Sequence, residues 1–129
     1  KDLAHMVLSL KPFGCMPSTQ SDGAQSAVVS LYKDMIYIPI ETSGEGDVNA
    51  HSRVQMALGE AKVKTKNEFQ EALSKMGYTL VDIKNYVDEN PELKQPFYHI
   101  PHYKGTIGVA AGFVRHVGER MKTGKRHAA

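Results

Sequence analysis

Two short apolar stretches with an amphipathic segment between them constrain the fold of this chain more than any other feature. Residues 5–10 ("HMVLSL") and 35–40 ("MIYIPI") are short and mostly apolar, as buried strands are. Residues 21–35 carry apolar side chains at helical spacing, with Ser21 or Asp22 as the expected N-cap. Strand, helix and strand in so few residues predict a parallel pair of strands joined by a right-handed crossover. We therefore expect an α/β fold with a small, mainly parallel sheet flanked by helices, as a Rossmann-like three-layer fragment.

The middle of the chain predicts helix. No proline occurs between residues 47 and 75, so we expect one long helix there, or two with a bend near residues 64–66. Asp47 or Asn49 is the expected cap of this segment, and Gly77 is its expected stop.

Shorter elements are expected after Gly77. Thr79 and Asp82 have the spacing of a capping box, which predicts a short amphipathic helix that ends at Asn90-Pro91. Residues 97–100 predict a brief strand between two prolines, and residues 105–121 predict a last helix that contains small residues for close packing.

Size and composition limit the class of protein. With 129 residues, the chain predicts one domain over residues 1–121, followed by a basic flexible tail at 122–129. Its start at Lys1, without an initiator methionine, predicts a fragment of a larger protein. A net charge of +2 gives no reason to expect a nucleic-acid partner, and no apolar run approaches the roughly 20 residues of a membrane-spanning helix. A single cysteine excludes an internal disulfide and favours a reducing compartment.

The predicted core combines the two strands with the helices that follow. Its members are apolar residues at buried-strand or helical spacing: Val7, Leu8, Leu10, Ile36, Ile38, Ile40, Val54, Leu58 and Val114.

The cysteine lies in a loop, "KPFGCMPSTQSDG", between the first strand and the first helix. A thiol before a helix N-terminus is exposed to the positive end of the helix dipole, which lowers its pKa and favours the thiolate that attacks electrophiles or binds metals. The alternative is a small buried residue without reactivity, as free cysteines often are. From the residues alone, both interpretations of Cys15 remain open. Cys15 and Glu41, which follow the two strands, are expected at the same carboxyl edge of the sheet.

Two other motifs can carry chemistry. His99 and His102 in "HIPH" are a weak metal signal because Pro101 disfavours a regular helix, so loop hydrogen bonding is the alternative. Lys104, Gly105 and Thr106 precede the last helix, where backbone amides and the dipole can bind an anion such as a coenzyme A phosphate. The alternative for Gly105 and Gly108 of this motif is a role in helix packing.

A resemblance adds to these interpretations. Three stretches carry it, and together they cover nearly the whole chain. They are "LKPFGCMPSTQSDGAQSAVV", "YIPIETSGEGDVNAHSRVQMAL" and "GYTLVDIKNYVDENPELKQPFYHIPHYKGTIGVAAGFVRHVG". They resemble the C-terminal region of the large BadF/HgdC-type activators of 2-hydroxyacyl-CoA dehydratases. The resemblance implies a cytoplasmic, anaerobic redox protein in which an ATPase module, absent here, drives electrons into a dehydratase-like region of the same protein.

The resemblance also implies a role for the cysteine loop. Cys15 matches the cysteine of the family's "FGC(M/L)PS" loop, which implies a ligand to a [4Fe-4S] cluster, with Gly14 and Ser18 beside the cluster. Since no other cysteine is present, the remaining ligands are expected in the upstream regions of the parent protein. Ser18 and Thr19 are candidates for hydrogen bonds from this loop to cluster sulfur or substrate. Glu41 and Arg53 are candidates for polar contacts near the end of the sheet. Acyl-CoA is a further possible partner, and the ATP would bind only in the absent module.

The alternative function is a non-catalytic scaffold that docks an ATPase or a dehydratase partner. In that case Cys15 is expected to be buried and unreactive.

Overall fold

The computed structural model describes residues 3–42 and 47–127. In chain order, its elements are β1 (Met6–Pro12), α1 (Met16–Leu31), β2 (Ile36–Thr42), α2 (Asp47–Met76), α3 (Leu80–Glu89), a 3₁₀ helix (Pro91–Lys94) and α4 (Val109–His127). Contacts divide these residues into two compact units, Leu3–Lys64 and residues 65–127. The prediction of a single domain over residues 1–121 is not tested by this division and stays a prediction.

The first unit contains a parallel sheet of two strands. β1 pairs with β2 in a register that places Met6 opposite Ile36 and Pro12 opposite Thr42. Helix α1 lies over one face of this sheet, where the Gln25 side chain accepts hydrogen bonds from Ser9 Oγ at 3.4 Å and from the Tyr37 hydroxyl. The predicted α/β class, with a small parallel sheet flanked by helices, is therefore confirmed.

The start of α1 was predicted too late in the chain. The helix begins at Met16, with Cys15 as its N-cap, instead of at Ser21 or Asp22. Pro17 stands in the first turn, where its fixed φ suits a helix and its missing N–H costs no hydrogen bond. The Asp22 side chain instead forms an ion pair with Lys11 of β1.

The predicted core is correct for β2 and wrong for most of β1. Ile36 and Ile40 are only 6% exposed, and Val114 is also buried, whereas Ile38, Val54 and Leu58 are half-buried. Val7 and Leu8 are each 39% exposed and Leu10 is 68% exposed. The reason is that β1 pairs only with β2 in the described sheet, so its apolar side chains lack the neighbours that the sequence pattern implies.

The second unit is built around α4. Val114 and Ala111 of this helix pack with Ala72 of α2. Further along, Val117 is fully buried against Ile83 of α3 and Leu93 of the 3₁₀ helix.

The boundaries between α2 and α3 follow the predicted signals. α2 is a single helix of 30 residues, which favours the first of the two alternatives. It stops before Gly77, whose φ of +73° is readily adopted only by glycine. Thr79 and Asp82 form the predicted capping box at the start of α3, with Thr79 N donating to Asp82 Oδ2 at 2.8 Å.

Two expectations near the C-terminus differ from the structure. The strand predicted at residues 97–100 is wrong, because this segment is a loop in which Tyr98 N donates to Gln95 O at 3.0 Å. The expected tail at 122–129 is helical as far as His127, and residues 128–129 lie outside the described part.

Candidate functional site

The candidate site lies at the carboxyl end of the two parallel strands. After β1 ends at Pro12, the chain turns through Gly14, whose φ of +73° favours glycine, and enters α1 at Cys15. Phe13 N donates to Thr42 O at 3.3 Å, and Cys15 N donates to Pro12 O at 3.3 Å, so the turn is tied to the ends of both strands. The predicted position of Cys15 at this edge of the sheet is confirmed.

Cys15 is half-buried and is the N-cap residue of α1. Hydrogen bonds from the side chain and the backbone amide of Ser18 lower the pKa of Cys15, and desolvation opposes them. The dipole of α1 acts in the same direction as Ser18, because Cys15 is the N-cap residue. These surroundings favour the thiolate.

Two other loop residues have different roles. Gly14 is exposed, and a Cβ added to it would meet no atom within 4 Å, so the backbone next to Cys15 is open. Thr19 Oγ1 donates to the backbone carbonyl of Cys15 at 3.2 Å, which directs this hydroxyl to the helix and not to the thiol.

Charged groups occupy the same end of the sheet. Glu41 lies opposite Lys11 in the strand register, and Lys11 Nζ is 3.1 Å from its carboxylate. Hydrogen bonds to Asp22 and Glu41 raise the pKa of Lys11. A cavity of about 260 Å³ is lined by Lys11, Glu41 and Arg53, among others, and the polar contacts expected of Glu41 and Arg53 stay a prediction.

The start of α4 is already occupied by a carboxylate of this chain. Glu68 of α2 accepts hydrogen bonds from Ile107 N at 2.6 Å and from Gly108 N at 2.8 Å. Sequence reasoning missed this residue because it is 39 positions from Ile107 and matches no local capping pattern. An added phosphate at these amides would have to displace the Glu68 carboxylate.

The three residues predicted to bind an anion there form the turn before α4 and contacts with Arg115. Gly105 has a φ of +77° and forms the turn before α4. Thr106 is buried, and its hydroxyl accepts a hydrogen bond from Arg115 at 2.7 Å. The Lys104 side chain is exposed, and its backbone carbonyl also faces Arg115.

Comparisons with known proteins give no family for this chain. No protein-family model matches it, and neither the curated proteins nor the solved structures yielded a significant match.

Over residues 3–42 and 47–127, no three His, Cys, Asp or Glu side chains form a group that could hold a metal ion. His99 and His102 are both exposed loop residues. The helices of the described chain include none with the length and apolar character needed to cross a membrane.

Proposed function

We propose that this chain is the C-terminal, dehydratase-like part of an ATP-dependent iron–sulfur activase or reductase that acts in acyl-CoA dehydration or a related low-potential reduction. In this proposal Cys15 supplies one thiolate ligand to a [4Fe-4S] cluster, and the chain alone is inactive. The observation that carries the proposal is the position of Cys15, which caps α1 at the carboxyl end of a parallel strand and has a lowered pKa.

The donor chemistry fits one ligand of such a cluster. Iron in these clusters prefers thiolate, and the Ser18 hydrogen bonds favour that form of Cys15. Four thiolates form the usual set, and this chain contains one cysteine, so the other ligands must come from polypeptide outside it. When bound, the cluster would supply one-electron transfer at low potential.

The residues around Cys15 have defined tasks in this proposal. Ser18 holds the sulfur in its ionised form by hydrogen bonding. Gly14 forms the turn that presents Cys15, and the open space beside it allows a bulky group to approach the backbone. ATP would bind in the upstream module, acyl-CoA in the complete protein, and the assembly would operate in the cytoplasm.

A second candidate function is a docking domain without a redox role. Leu10, Phe13 and Met16, which flank the cysteine loop, are 68%, 73% and 76% exposed. Contiguous exposed apolar patches are typical of surfaces that contact another protein, and in this alternative these three side chains would form such a patch. In this alternative the same edge would dock the ATPase or dehydratase-like regions, and Cys15 would be unreactive.

Thiol labelling of the native chain separates the two functions. A ligating Cys15 should react with iodoacetamide in the folded protein at a rate at least that of a free thiol at neutral pH, because its thiolate is favoured. A native protein that reacts only after unfolding would support the docking function instead.

Anaerobic reconstitution of this chain alone gives a second test. With iron and sulfide added, one thiolate should yield no stable cluster, and the protein should remain colourless. A stable brown four-iron species on the isolated chain would contradict the proposed division of ligands between this chain and the upstream regions.

A further inference from the structure

A histidine in the second unit is hydrogen-bonded through both ring nitrogens to tyrosines of one loop. His116 lies on α4, and the loop runs from residue 95 to residue 108. Tyr98 Oη is 2.7 Å from His116 Nε2, and Tyr103 Oη is 3.3 Å from His116 Nδ1. The imidazole therefore joins α4 to two separate points of the loop.

The neighbours of the two tyrosines fix the direction of each hydrogen bond. Tyr103 Oη is 3.0 Å from Glu119 Oε2, and a carboxylate can only accept, so the Tyr103 proton goes to Glu119. The Tyr103 oxygen must then accept from His116, which places the ring proton on Nδ1. Burial is the largest cause that raises the pKa of Tyr103 to about 12, followed by its bond to Glu119, so this phenol keeps its proton.

The other side of the ring is consistent with the same tautomer. Arg120 donates to Tyr98 Oη at 3.1 Å, and arginine has no acceptor. Tyr98 therefore directs its own proton to the unprotonated Nε2 of His116. The hydrogen bonds run in one direction, from Arg120 through Tyr98, His116 and Tyr103 to Glu119, and each of the three middle groups accepts one hydrogen bond and donates one.

We propose that neutral His116, with its proton on Nδ1, is a pH-sensitive clasp that holds the 95–108 loop on α4 and releases it when the ring is protonated. Protonation adds a hydrogen to Nε2, which then points at the Tyr98 hydroxyl and removes the acceptor of the Tyr98 proton. It also places a second cation beside the guanidinium that binds the same tyrosine.

The groups that face the ring and its partners come from every element packed around it. They are Arg115, Glu119 and Arg120 of α4, Tyr98 and Tyr103 of the loop, Glu92 of the 3₁₀ helix and Tyr86 of α3. Burial is the largest cause that lowers the pKa of His116, Arg120 adds to it, and Glu119 opposes both. Glu92 binds Arg120 at 2.8 Å and keeps that cation in place.

The sign of the pH effect follows from this lowered pKa. A histidine in the unfolded chain titrates near pH 6.5, so below that pH the unfolded state binds more protons than the folded state. Stability should therefore be full above about pH 6.5 and decrease as the pH falls toward the pKa of folded His116.

Nitrogen-15 NMR of the wild-type chain tests the tautomer directly. The His116 resonances are assigned by comparison with His116→Gln, and the expected result at pH 7.5 is a neutral ring protonated on Nδ1, with a titration midpoint below that of a free histidine. A ring protonated on Nε2, or a midpoint at or above the free value, would overturn the proposal.

Hydrogen exchange tests the release of the loop. Protection factors for residues 95–108, corrected for the intrinsic pH dependence of exchange, should fall in the wild type between pH 7.5 and pH 5.5. His99→Gln replaces an exposed histidine of the same loop and should behave as the wild type. Tyr103→Phe should lower protection already at pH 7.5. Equal protection of the wild-type loop at both pH values would refute the clasp, whatever the folding of His116→Gln.

Discussion

The ionisation of Cys15 depends on one neighbouring residue more than on any other. Ser18 supplies both hydrogen bonds that lower the pKa of the thiol, from its hydroxyl and from its amide. The amide contribution belongs to the first turn of α1, whereas the hydroxyl contribution belongs to the serine side chain alone. The two contributions can therefore be separated by a single substitution.

Ser18→Ala should shift the pH profile of Cys15 alkylation upward, toward that of an ordinary thiol. The hydroxyl is lost, the amide hydrogen bond remains, and the thiolate is less favoured. Iodoacetamide rates between pH 6 and pH 10 measure the shift.

The matched control is Ser26→Ala on the same helix, whose hydroxyl donates to Gly23 O. This variant should keep the wild-type profile. If the profile of Ser18→Ala is unchanged, Ser18 does not tune the thiol.

Glu68 is the second residue whose role depends on a specific contact. Its carboxylate accepts from the amides of Ile107 and Gly108 before α4 begins. Glu68→Gln removes the charge and replaces one acceptor oxygen with a donor, so we expect a loss of about 1–2 kcal/mol in the free energy of unfolding.

Urea denaturation measures this loss, and Glu71→Gln is the control because Glu71 is largely exposed and forms a surface pair with Lys75. The control should change stability by less than about 0.5 kcal/mol. Equal stability of the Glu68 and Glu71 variants would show that the carboxylate does not stabilise the helix start.

At the scale of elements, local signals were sufficient for the boundaries around Gly77 and insufficient for the start of α1 and for packing. The capping box of Thr79 and Asp82 and the stop at Gly77 depend on residues a few positions apart, so the sequence alone predicts them. The start of α1 was misplaced because Pro17 is equally typical of a loop and of a first helical turn. The exposure of β1 depends on how many strands pair with it, which no pattern within β1 specifies.

Two glycines of α4 show that the sequence pattern does not predict which residue makes the close contact. The small residues of this helix predicted close packing, but a Cβ added to Gly112 would meet no atom within 4 Å. At Gly118, an added Cβ would lie 2.8 Å from Met76 Cγ, closer than real Cβ contacts. The close approach to α2 therefore depends on Gly118.

Replacing each glycine with alanine should give opposite results. Gly112→Ala should stabilise the chain by about 0.5–1 kcal/mol, because alanine is the better helix former and has room. Gly118→Ala should destabilise it by about 1–2 kcal/mol, since the displaced Met76 side chain costs more than the helix propensity returns. Thermal or urea unfolding of both variants measures this, and a Gly118→Ala chain as stable as Gly112→Ala would contradict the packing of α4 against α2.

At the scale of the whole molecule, the candidate site was predictable as far as topology determines it. Parallel strands bring their carboxyl ends to one edge, so Cys15 and Glu41 were expected there and lie there. The occupation of the α4 start by Glu68 was not predictable, because the contact joins residues that are distant in sequence. The complete ligand set of a cluster lies beyond any prediction from this chain, which contains one cysteine.

The central claim is that Cys15 is an iron ligand in the complete protein, and iron and sulfide analysis of that protein tests it most directly. The parent polypeptide is purified without oxygen as wild type and as Cys15→Ser, a nearly isosteric change to a much poorer iron ligand. Circular dichroism confirms that both are folded, and electron paramagnetic resonance of the reduced proteins reports the cluster. We expect the variant to lose iron, sulfide and the cluster signal while it keeps its fold. A folded variant with the iron content and the signal of the wild type would contradict the claim and favour the docking function.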